Sequence, residues 1–215
     1  MGYQTILFDL DGTLTDPKLG ITTAAATALA HFGIHEDPDN LTWIIGPPLQ
    51  GAFQDHFGFP PEQAEEAVRQ FRLYYNDRGW AENVPYPGIR QMLHRLQQSG
   101  KTLIVATSKP EATAVRVLKY FDMASYFDLI CGAPPSPPEA SKKACVIRNA
   151  LARMNIASLE SVVMVGDRRH DIEGAHEVGI PAVGVLYGYG SFEELQCCGA
   201  DAITETVQSL STLLQ

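Results

Sequence analysis

Two aspartates near the N-terminus, Asp9 and Asp11, are separated by a single residue and are the first candidates for a reactive site. They directly follow the apolar run Thr5–Phe8, and Gly12 beside them permits a tight turn. Carboxylates at the C-terminal end of a buried strand lie where α/β sheets bind ligands. Such a carboxylate can act as a nucleophile, as a general acid or base, or as a ligand of a hard cation. Taken alone, the pair is more typical of a plain turn with capping aspartates.

Polar residues also follow two later apolar runs, Leu103–Val105 and Val162–Val165. The candidates at these two places are Thr107, Ser108, Asp167 and Asp171. The carboxyl ends of parallel strands meet at one edge of a sheet, so three strands that end in polar residues would bring those residues together. This convergence favours a reactive or metal-binding site, whereas any one of the loops alone would be a weak indication.

Short, almost continuously apolar runs recur along the chain and predict strands that are covered on both faces. These runs are Thr5–Phe8, Thr102–Ala106, Phe127–Cys131, Val162–Val165 and Ala182–Leu186. Between them, apolar residues repeat at helical spacing within residues 89–96, 114–121 and 146–154. Strands that alternate with helices predict an α/β fold with a doubly wound parallel sheet.

The interval between the first two strands is far longer than a simple crossover needs, and its surplus is helical in character. Asp16 and Pro17 are typical of an N-cap followed by proline at the first helical position. Pro61 opens a second helix with an apolar stripe. We therefore expect a small helical domain to be inserted after the first strand.

The predicted domains follow from this insertion: an α/β core of residues 1–16 and 83–215, and a helical cap of residues 17–82. A proline-rich segment at residues 85–88 would form the return hinge. Cap side chains that could contact a substrate are Lys18, Arg72, Arg78, Trp43, Phe53 and Trp80. For the aromatic ones, burial in the cap's own core is the simpler interpretation.

The composition excludes several classes of protein. With 215 residues, 45% hydrophobic and 19% charged, the chain is typical of a globular protein. Its formal net charge of -9 disfavours a nucleic acid polymer as partner, because an acidic surface repels polyanions. The sequence has no signal-peptide pattern and no apolar run long enough to span a membrane. Its four cysteines lack disulfide or zinc-site spacing, which predicts reduced thiols and a cytoplasmic location.

Taken together, these motifs resemble those of the haloacid dehalogenase-like hydrolase superfamily. The segment Asp9–Asp16 is similar to its DxDGT signature, and Thr107 resembles the serine or threonine of its second motif. Lys143 resembles the lysine of the third motif, although the adjacent Lys142 is an alternative. Asp167 and Asp171 resemble the acidic GDxxxD motif.

The resemblance extends from Ile6 to about Gly179, and it implies a Rossmann-like core with the inserted helices as a type-1 cap. The stretches 86–88, 106–110 and 166–168 are similar to the phosphoglycolate phosphatase and 5'-nucleotidase-like branch. In this superfamily, a second aspartate such as Asp11 implies phosphoryl transfer rather than dehalogenation.

The resemblance also implies a magnesium ion as cofactor. Asp9 and Asp167 would be its side-chain ligands, and the backbone carbonyl of Asp11 would be a third. Asp171 would orient a water on the metal from the second coordination sphere, although it is also typical of a helix N-cap.

The same resemblance assigns roles in phosphoryl transfer. Asp9 would be the nucleophile that forms an aspartyl-phosphate, and Asp11 the general acid and then base. Lys143 and Thr107 would stabilise the transferring phosphoryl group, with Ser108 as an alternative to Thr107. Backbone N–H groups that would assist are those of Leu10, Asp11 and Ser108.

We therefore expect a magnesium-dependent phosphatase for small phosphorylated metabolites, with phosphoglycolate-like compounds or nucleoside 5'-monophosphates as substrates. The expected assembly is a monomer or a homodimer. One alternative is a phosphomutase of the β-phosphoglucomutase kind, which would return the phosphoryl group to a sugar phosphate. A second alternative is a non-catalytic regulatory or binding protein on the same scaffold.

Overall fold

The computed structural model describes residues 2–134 and 138–215. Its strands are β1 (Thr5–Phe8), β2 (Thr15–Asp16), β3 (Val84–Pro85), β4 (Thr102–Pro110), β5 (Leu129–Ala133), β6 (Val162–Gly166), β7 (Ala182–Val185) and β8 (Ala202–Thr204). Its α-helices are α1 (Lys18–Ala30), α2 (Leu49–Phe57), α3 (Pro61–Tyr74), α4 (Ile89–Gln98), α5 (Glu111–Tyr120), α6 (Lys143–Arg153), α7 (Arg169–Val178), α8 (Phe192–Cys197) and α9 (Val207–Leu214). Short 3-10 or π turns lie at Pro38–Ile44, Tyr75–Gly79, Ala124–Tyr126 and Pro138–Ser141.

Six strands form one parallel sheet in the order β5-β4-β1-β6-β7-β8. The chain builds outward from β1 to β4 and β5 on one side, and then returns beside β1 with β6 and continues to β8. Ligands of such sheets bind at the point where the strand order reverses. In register, Phe8 of β1 lies opposite Val105 of β4 and Val165 of β6. The residues that follow these three therefore emerge side by side.

The sheet is covered on both faces, since every residue of β1, β6 and β7 is buried. On one face, Leu7, Ile104 and Met164 pack in a cluster with apolar residues of α6 and α7. Burial of alternating side chains on two faces explains why these strands are continuously apolar in sequence. The predicted α/β class with a doubly wound parallel sheet is confirmed.

The chain forms two compact units: Met1–Asp16 with Pro85–Gln215, and Pro17–Val84. The sequence predicted the second boundary after residue 82, whereas the second unit ends at Val84. This unit contains α1, α2 and α3. None of the helices within residues 2–134 and 138–215 combines the length and apolarity needed to cross a membrane.

Several side chains of the second unit have partners inside that unit. Phe53 is fully buried and is a core residue, in line with the simpler interpretation. Trp43 stacks on His56 with ring centroids 3.5 Å apart. Lys18 forms an ion pair of 2.8 Å with Asp39. The predicted contacts of these side chains with a substrate stay predictions.

Several strand boundaries differ from the prediction, and one strand of the sheet was missed. Strand β4 runs to Pro110 instead of ending at Ala106, because its pairing with β5 resumes after an irregularity between Thr107 and Pro110. Strand β5 begins two residues later than predicted, since a 3-10 turn precedes it. Strand β8 was missed because it has only three residues, two of which are partly exposed.

The predicted N-cap at Asp16 is wrong. Helix α1 begins at Lys18, with Pro17 at the N-cap position and no side-chain cap. The carboxylate of Asp16 instead accepts a hydrogen bond from the hydroxyl of Tyr189. A partner so far along the chain was not visible in the local pattern that suggested a cap.

Candidate active site

Three carboxylates converge at the carboxyl edge of the sheet. Asp9 directly follows β1, and its backbone N–H donates to the Val165 carbonyl at 2.9 Å. Asp167 follows β6, and Asp171 lies one turn into α7. One carboxylate oxygen from each of the three aspartates lies within 4.8 Å of those of the other two. All three residues are buried, so their charges interact strongly.

Lys143 places a buried ammonium group between two of these carboxylates. Its Nζ lies 2.8 Å from Oδ1 of Asp9 and 2.7 Å from Oδ1 of Asp171, and it donates to the Ala106 carbonyl at 3.0 Å. Burial alone would lower the pKa of Lys143, but the carboxylates of Asp171 and Asp9 outweigh it and hold that pKa above its usual value. Lys142 is exposed, so the structure brings Lys143 and not its neighbour to the carboxylates.

Asp11 has a different cation, Lys109, which the sequence analysis did not identify as a site residue. The Nζ of Lys109 donates to Oδ2 of Asp11 at 2.6 Å, and both side chains are largely buried. Burial raises the pKa of the Asp11 carboxyl, and the Lys109 charge only partly offsets this. Lys109 was missed because the strand was predicted to end at Ala106, which left the lysine in a loop.

The two hydroxyl candidates of the second motif have different surroundings. Thr107 is buried, and its Oγ1 accepts a hydrogen bond of 3.2 Å from the backbone N–H of Lys109. Accepting this bond leaves the threonine proton available for donation. The Ser108 hydroxyl donates to the Ser141 carbonyl at 2.8 Å, so its proton is already used.

Asp167 is held by residues from two distant segments. Its Oδ1 accepts from the Thr13 hydroxyl at 3.2 Å, and its Oδ2 accepts from the backbone N–H of Tyr189 at 2.9 Å. Gly12 adopts a φ of +88°, and a Cβ atom there would lie 2.2 Å from Oδ2 of Asp167. A Cβ atom on Gly188 would lie 2.4 Å from the Cβ of Asp167. Glycine is therefore required on two sides of this aspartate.

Thr13, Tyr187 and Tyr189 were also missed by the sequence analysis. The Tyr189 hydroxyl donates a hydrogen bond to the Asp16 carboxylate. The Tyr187 hydroxyl donates one of 3.1 Å to the backbone carbonyl of Thr13. The alternation of tyrosine and glycine over Tyr187–Gly190, directly after a buried strand, was the available signal. It is a pattern that suits close backbone approach to another group.

Asp171 is not the N-cap of its helix. It is the third residue of α7, and its Oδ2 accepts from the backbone N–H of Arg168 at 3.1 Å, while Arg168 occupies the N-cap position. Its other oxygen meets Lys143. The predicted role in orienting a metal-bound water stays a prediction, as does the role of the backbone N–H of Leu10.

The donor set fits a magnesium ion. Hard oxygen ligands are what this cation prefers. Burial, with the repulsion between neighbouring carboxylates, raises the pKa of Asp167 well above its usual value and that of Asp171 to about 6. The site groups four carboxylates, those of Asp9, Asp11, Asp167 and Asp171, with two buried ammonium groups, those of Lys109 and Lys143. A divalent cation would offset the remaining negative charge.

Comparison with known proteins agrees with the resemblance seen in the sequence. Residues 6–185 match the family model described as haloacid dehalogenase-like hydrolase. A 5'-nucleotidase of Pseudomonas aeruginosa is 39% identical, and the match covers 96% of this chain and 96% of that protein. The tyrosine-protein kinase PtkA of Mycobacterium tuberculosis is 40% identical over 202 residues, which cover 94% of this chain and 68% of that protein.

Phosphoglycolate phosphatase of Aquifex aeolicus is 32% identical, with 86% of each chain covered. The crystal structure of a predicted phosphatase from Clostridium acetobutylicum has a TM-score of 0.94 and 40% identity, and the match covers 99% of this chain and 98% of that one. The resemblance to the 5'-nucleotidase and phosphoglycolate phosphatase branch is confirmed. The family model spans most of the residues that carry the site, and the chain belongs to the haloacid dehalogenase-like hydrolase family.

Proposed function

We propose that this protein is a magnesium-dependent phosphatase that hydrolyses small phosphate monoesters through an aspartyl-phosphate on Asp9. The observation that carries the proposal is the position of the Asp9 carboxylate, 2.8 Å from the Lys143 ammonium and grouped with Asp167 and Asp171. An anionic nucleophile can approach a phosphate dianion only where positive charge offsets the repulsion. The site supplies one such charge directly and the oxygen ligands for a second.

In the first step, a carboxylate oxygen of Asp9 attacks phosphorus. The ester P–O bond breaks, its electron pair passes to the ester oxygen, and the proton of Asp11 moves to that oxygen. The alcohol leaves, and the phosphoryl group stays on Asp9. The raised pKa of Asp11 supports its protonated state at the start of this step.

In the second step, water attacks the phosphorus of the aspartyl-phosphate. The Asp11 carboxylate takes a proton from this water, the bond between phosphorus and the Asp9 oxygen breaks, and inorganic phosphate is released. Thr107 donates its free proton to the phosphoryl group, and Lys143 offsets its charge. Both catalytic aspartates return to their initial states.

A magnesium ion bound by Asp9, Asp167 and the carbonyl of Asp11, with Asp171 beside it, would stabilise the negative charge of the transferring phosphoryl group. The carboxylates of Asp9 and Asp167 must be deprotonated to hold it. Thr13 and Tyr189 keep the Asp167 side chain in place for that purpose.

Phosphoglycolate-like compounds and nucleoside 5'-monophosphates are the proposed substrates. The names of the relatives from Pseudomonas aeruginosa and Aquifex aeolicus support these two classes. The cytoplasmic location and the monomeric or homodimeric state stay predictions from the sequence.

A second candidate function is phosphoryl transfer to tyrosine, and the specific observation that favours it is the 40% identity to PtkA. The two functions differ in the acceptor of the phosphoryl group, which is water in a phosphatase and a tyrosine hydroxyl in a kinase. Incubation with ATP and magnesium, followed by mass spectrometry for phosphotyrosine, tests the second candidate directly.

The decisive experiment uses a panel of phosphate monoesters with magnesium and measures free phosphate. Wild-type protein should release phosphate and should carry one phosphoryl group on Asp9 when the reaction is quenched in acid. Asp9→Asn should abolish release, whereas the exposed control Asp55→Asn should not. Unchanged release by Asp9→Asn would refute the nucleophile. Formation of a sugar phosphate isomer without release would favour a phosphomutase, and no turnover of any kind would favour a binding protein.

A further inference from the structure

The position of Lys109 follows from the irregularity in β4. Thr107 pairs with Gly132 and Pro110 with Ala133, so two residues of β4 face none of β5. Residues alternate between the faces of a regular strand, and an inserted residue re-aims the side chains near it. Here the irregularity directs the ammonium of Lys109 to Oδ2 of Asp11, 98 residues away in the chain.

From this geometry, and resting on the proposed function, we propose that Lys109 is a positioning residue for Asp11. It anchors Oδ2 and thereby leaves Oδ1 as the oxygen that gives a proton to the leaving group and later takes one from water. Asp11 Oδ1 is buried and has no hydrogen-bond partner among the residues that the structure describes. The two oxygens of one carboxylate are thus divided between anchoring and proton transfer.

The other buried ammonium of the site cannot take over this task. Lys143 has three N–H donors, and three oxygens lie within 3.0 Å of its Nζ: one each from Asp9, Asp171 and Ala106. The orientation of Asp11 therefore depends on Lys109. A charge-assisted hydrogen bond between buried groups is strong enough to hold one rotamer of a short side chain.

A leaving-group series separates this role from substrate binding and from a purely structural role. Phenyl, 4-nitrophenyl and 2,4-dinitrophenyl phosphate have similar shapes, but the phenolate of the last needs no protonation to leave. The parameter kcat/KM reports only the steps up to formation of the aspartyl-phosphate, so it isolates proton donation by Asp11 from its later role as a base. The variants are Lys109→Met, Lys109→Arg and Asp11→Asn, with the exposed Lys142→Met as the matched control.

Lys109→Met should lower kcat/KM for phenyl phosphate by about 10- to 100-fold and should leave 2,4-dinitrophenyl phosphate nearly unchanged, because general acid catalysis is worth about 10²- to 10⁴-fold. Lys109→Arg should recover part of the loss. The double variant Lys109→Met with Asp11→Asn should be no slower than Asp11→Asn alone, since Lys109 acts through Asp11.

Three results would overturn the inference. The first is an equal loss on all three esters, and the second is a rise in KM with kcat unchanged, which would indicate a substrate anchor. The third is additive loss in the double variant. If thermal unfolding shows that Lys109→Met is not folded, Lys109→Gln and Lys109→Arg provide the same comparison. Wild-type protein that hydrolyses none of the esters would refute the proposed function itself, which distinguishes the two failures.

Discussion

The backbone N–H of Tyr189 donates a hydrogen bond of 2.9 Å to Oδ2 of Asp167. The hydroxyl of Tyr189 also donates a hydrogen bond to Asp16. The segment that holds Asp167 is therefore itself anchored at a second point. Partners that orient a metal ligand commonly decide how well the metal binds. The close packing of Gly188 on Asp167 leaves the Asp167 side chain no room to turn away.

Gly188→Ala should weaken magnesium binding. The added Cβ would lie 2.3 Å from the Gly12 carbonyl oxygen and 2.4 Å from the Asp167 Cβ, so one of these groups must move. We expect the magnesium concentration for half-maximal activity to rise about 10- to 100-fold. The control is Gly51→Ala, where a Cβ atom meets nothing within 4 Å. An unchanged magnesium requirement would show that the close packing of Gly188 against Asp167 is not needed for magnesium binding.

Lys143→Met should destabilise the protein as well as inactivate it. The substitution leaves the carboxylates of Asp9 and Asp171 buried without their cation. Breaking a buried ion pair from one side costs about 3–5 kcal/mol. Urea unfolding measures the loss, and Lys142→Met, which changes an exposed neighbour, should cost far less. Equal stability of the two variants would contradict the assigned ion pairs.

Thr107→Val should impair turnover more than Ser108→Ala does. Among the residues that the structure describes, the Thr107 hydroxyl accepts a hydrogen bond from the Lys109 N–H, whereas the Ser108 hydroxyl donates its proton to the Ser141 carbonyl. Loss of one donor to a transferring group typically lowers kcat about 10²- to 10³-fold. Steady-state kinetics of both variants provide the test, with Thr107→Ser expected to retain activity. A larger loss for Ser108→Ala would reverse the assignment.

In the metal-free protein, the stability that the Asp171 carboxyl contributes should fall as the pH rises from 3.8 to about 6, the usual and the raised pKa of this group. Burial raises this pKa in the folded state, so within that window the folded protein binds more protons than the unfolded chain does. The stability that Asp171 contributes is complete below its pKa in the unfolded chain and is lost as the pH rises through its pKa in the folded protein. Asp167 shifts in the same direction.

Urea unfolding at several pH values in the presence of a chelator measures this dependence. Asp171→Asn should flatten it, while the exposed control Asp55→Asn should not. Magnesium should stabilise the wild-type protein most at the upper end of the range, because it binds deprotonated carboxylates. The same pH dependence in the wild-type protein and in Asp171→Asn would contradict the burial argument.

The strands and the main site residues could be predicted because their signals are local. A strand buried on both faces must be apolar throughout, so Thr5–Phe8 and the core of β6 are visible as short runs. Asp9 and Asp167 then follow from the rule that ligands meet the carboxyl ends of parallel strands. Lys143, which pairs with Asp9 and Asp171, was suggested by its resemblance to the third-motif lysine of the superfamily.

Long-range contacts decided the rest. The irregular pairing of β4 turns Lys109 toward Asp11, and nothing in the residues around position 109 reports how a neighbouring strand pairs. Tyr189 meets Asp16 across 173 residues of sequence, so a local pattern assigned that aspartate to a helix cap. The residues alone determined which groups could react. Only folding determined which cation faces which carboxylate, because hydrogen bonds and ion pairs depend on distances that no local spacing encodes.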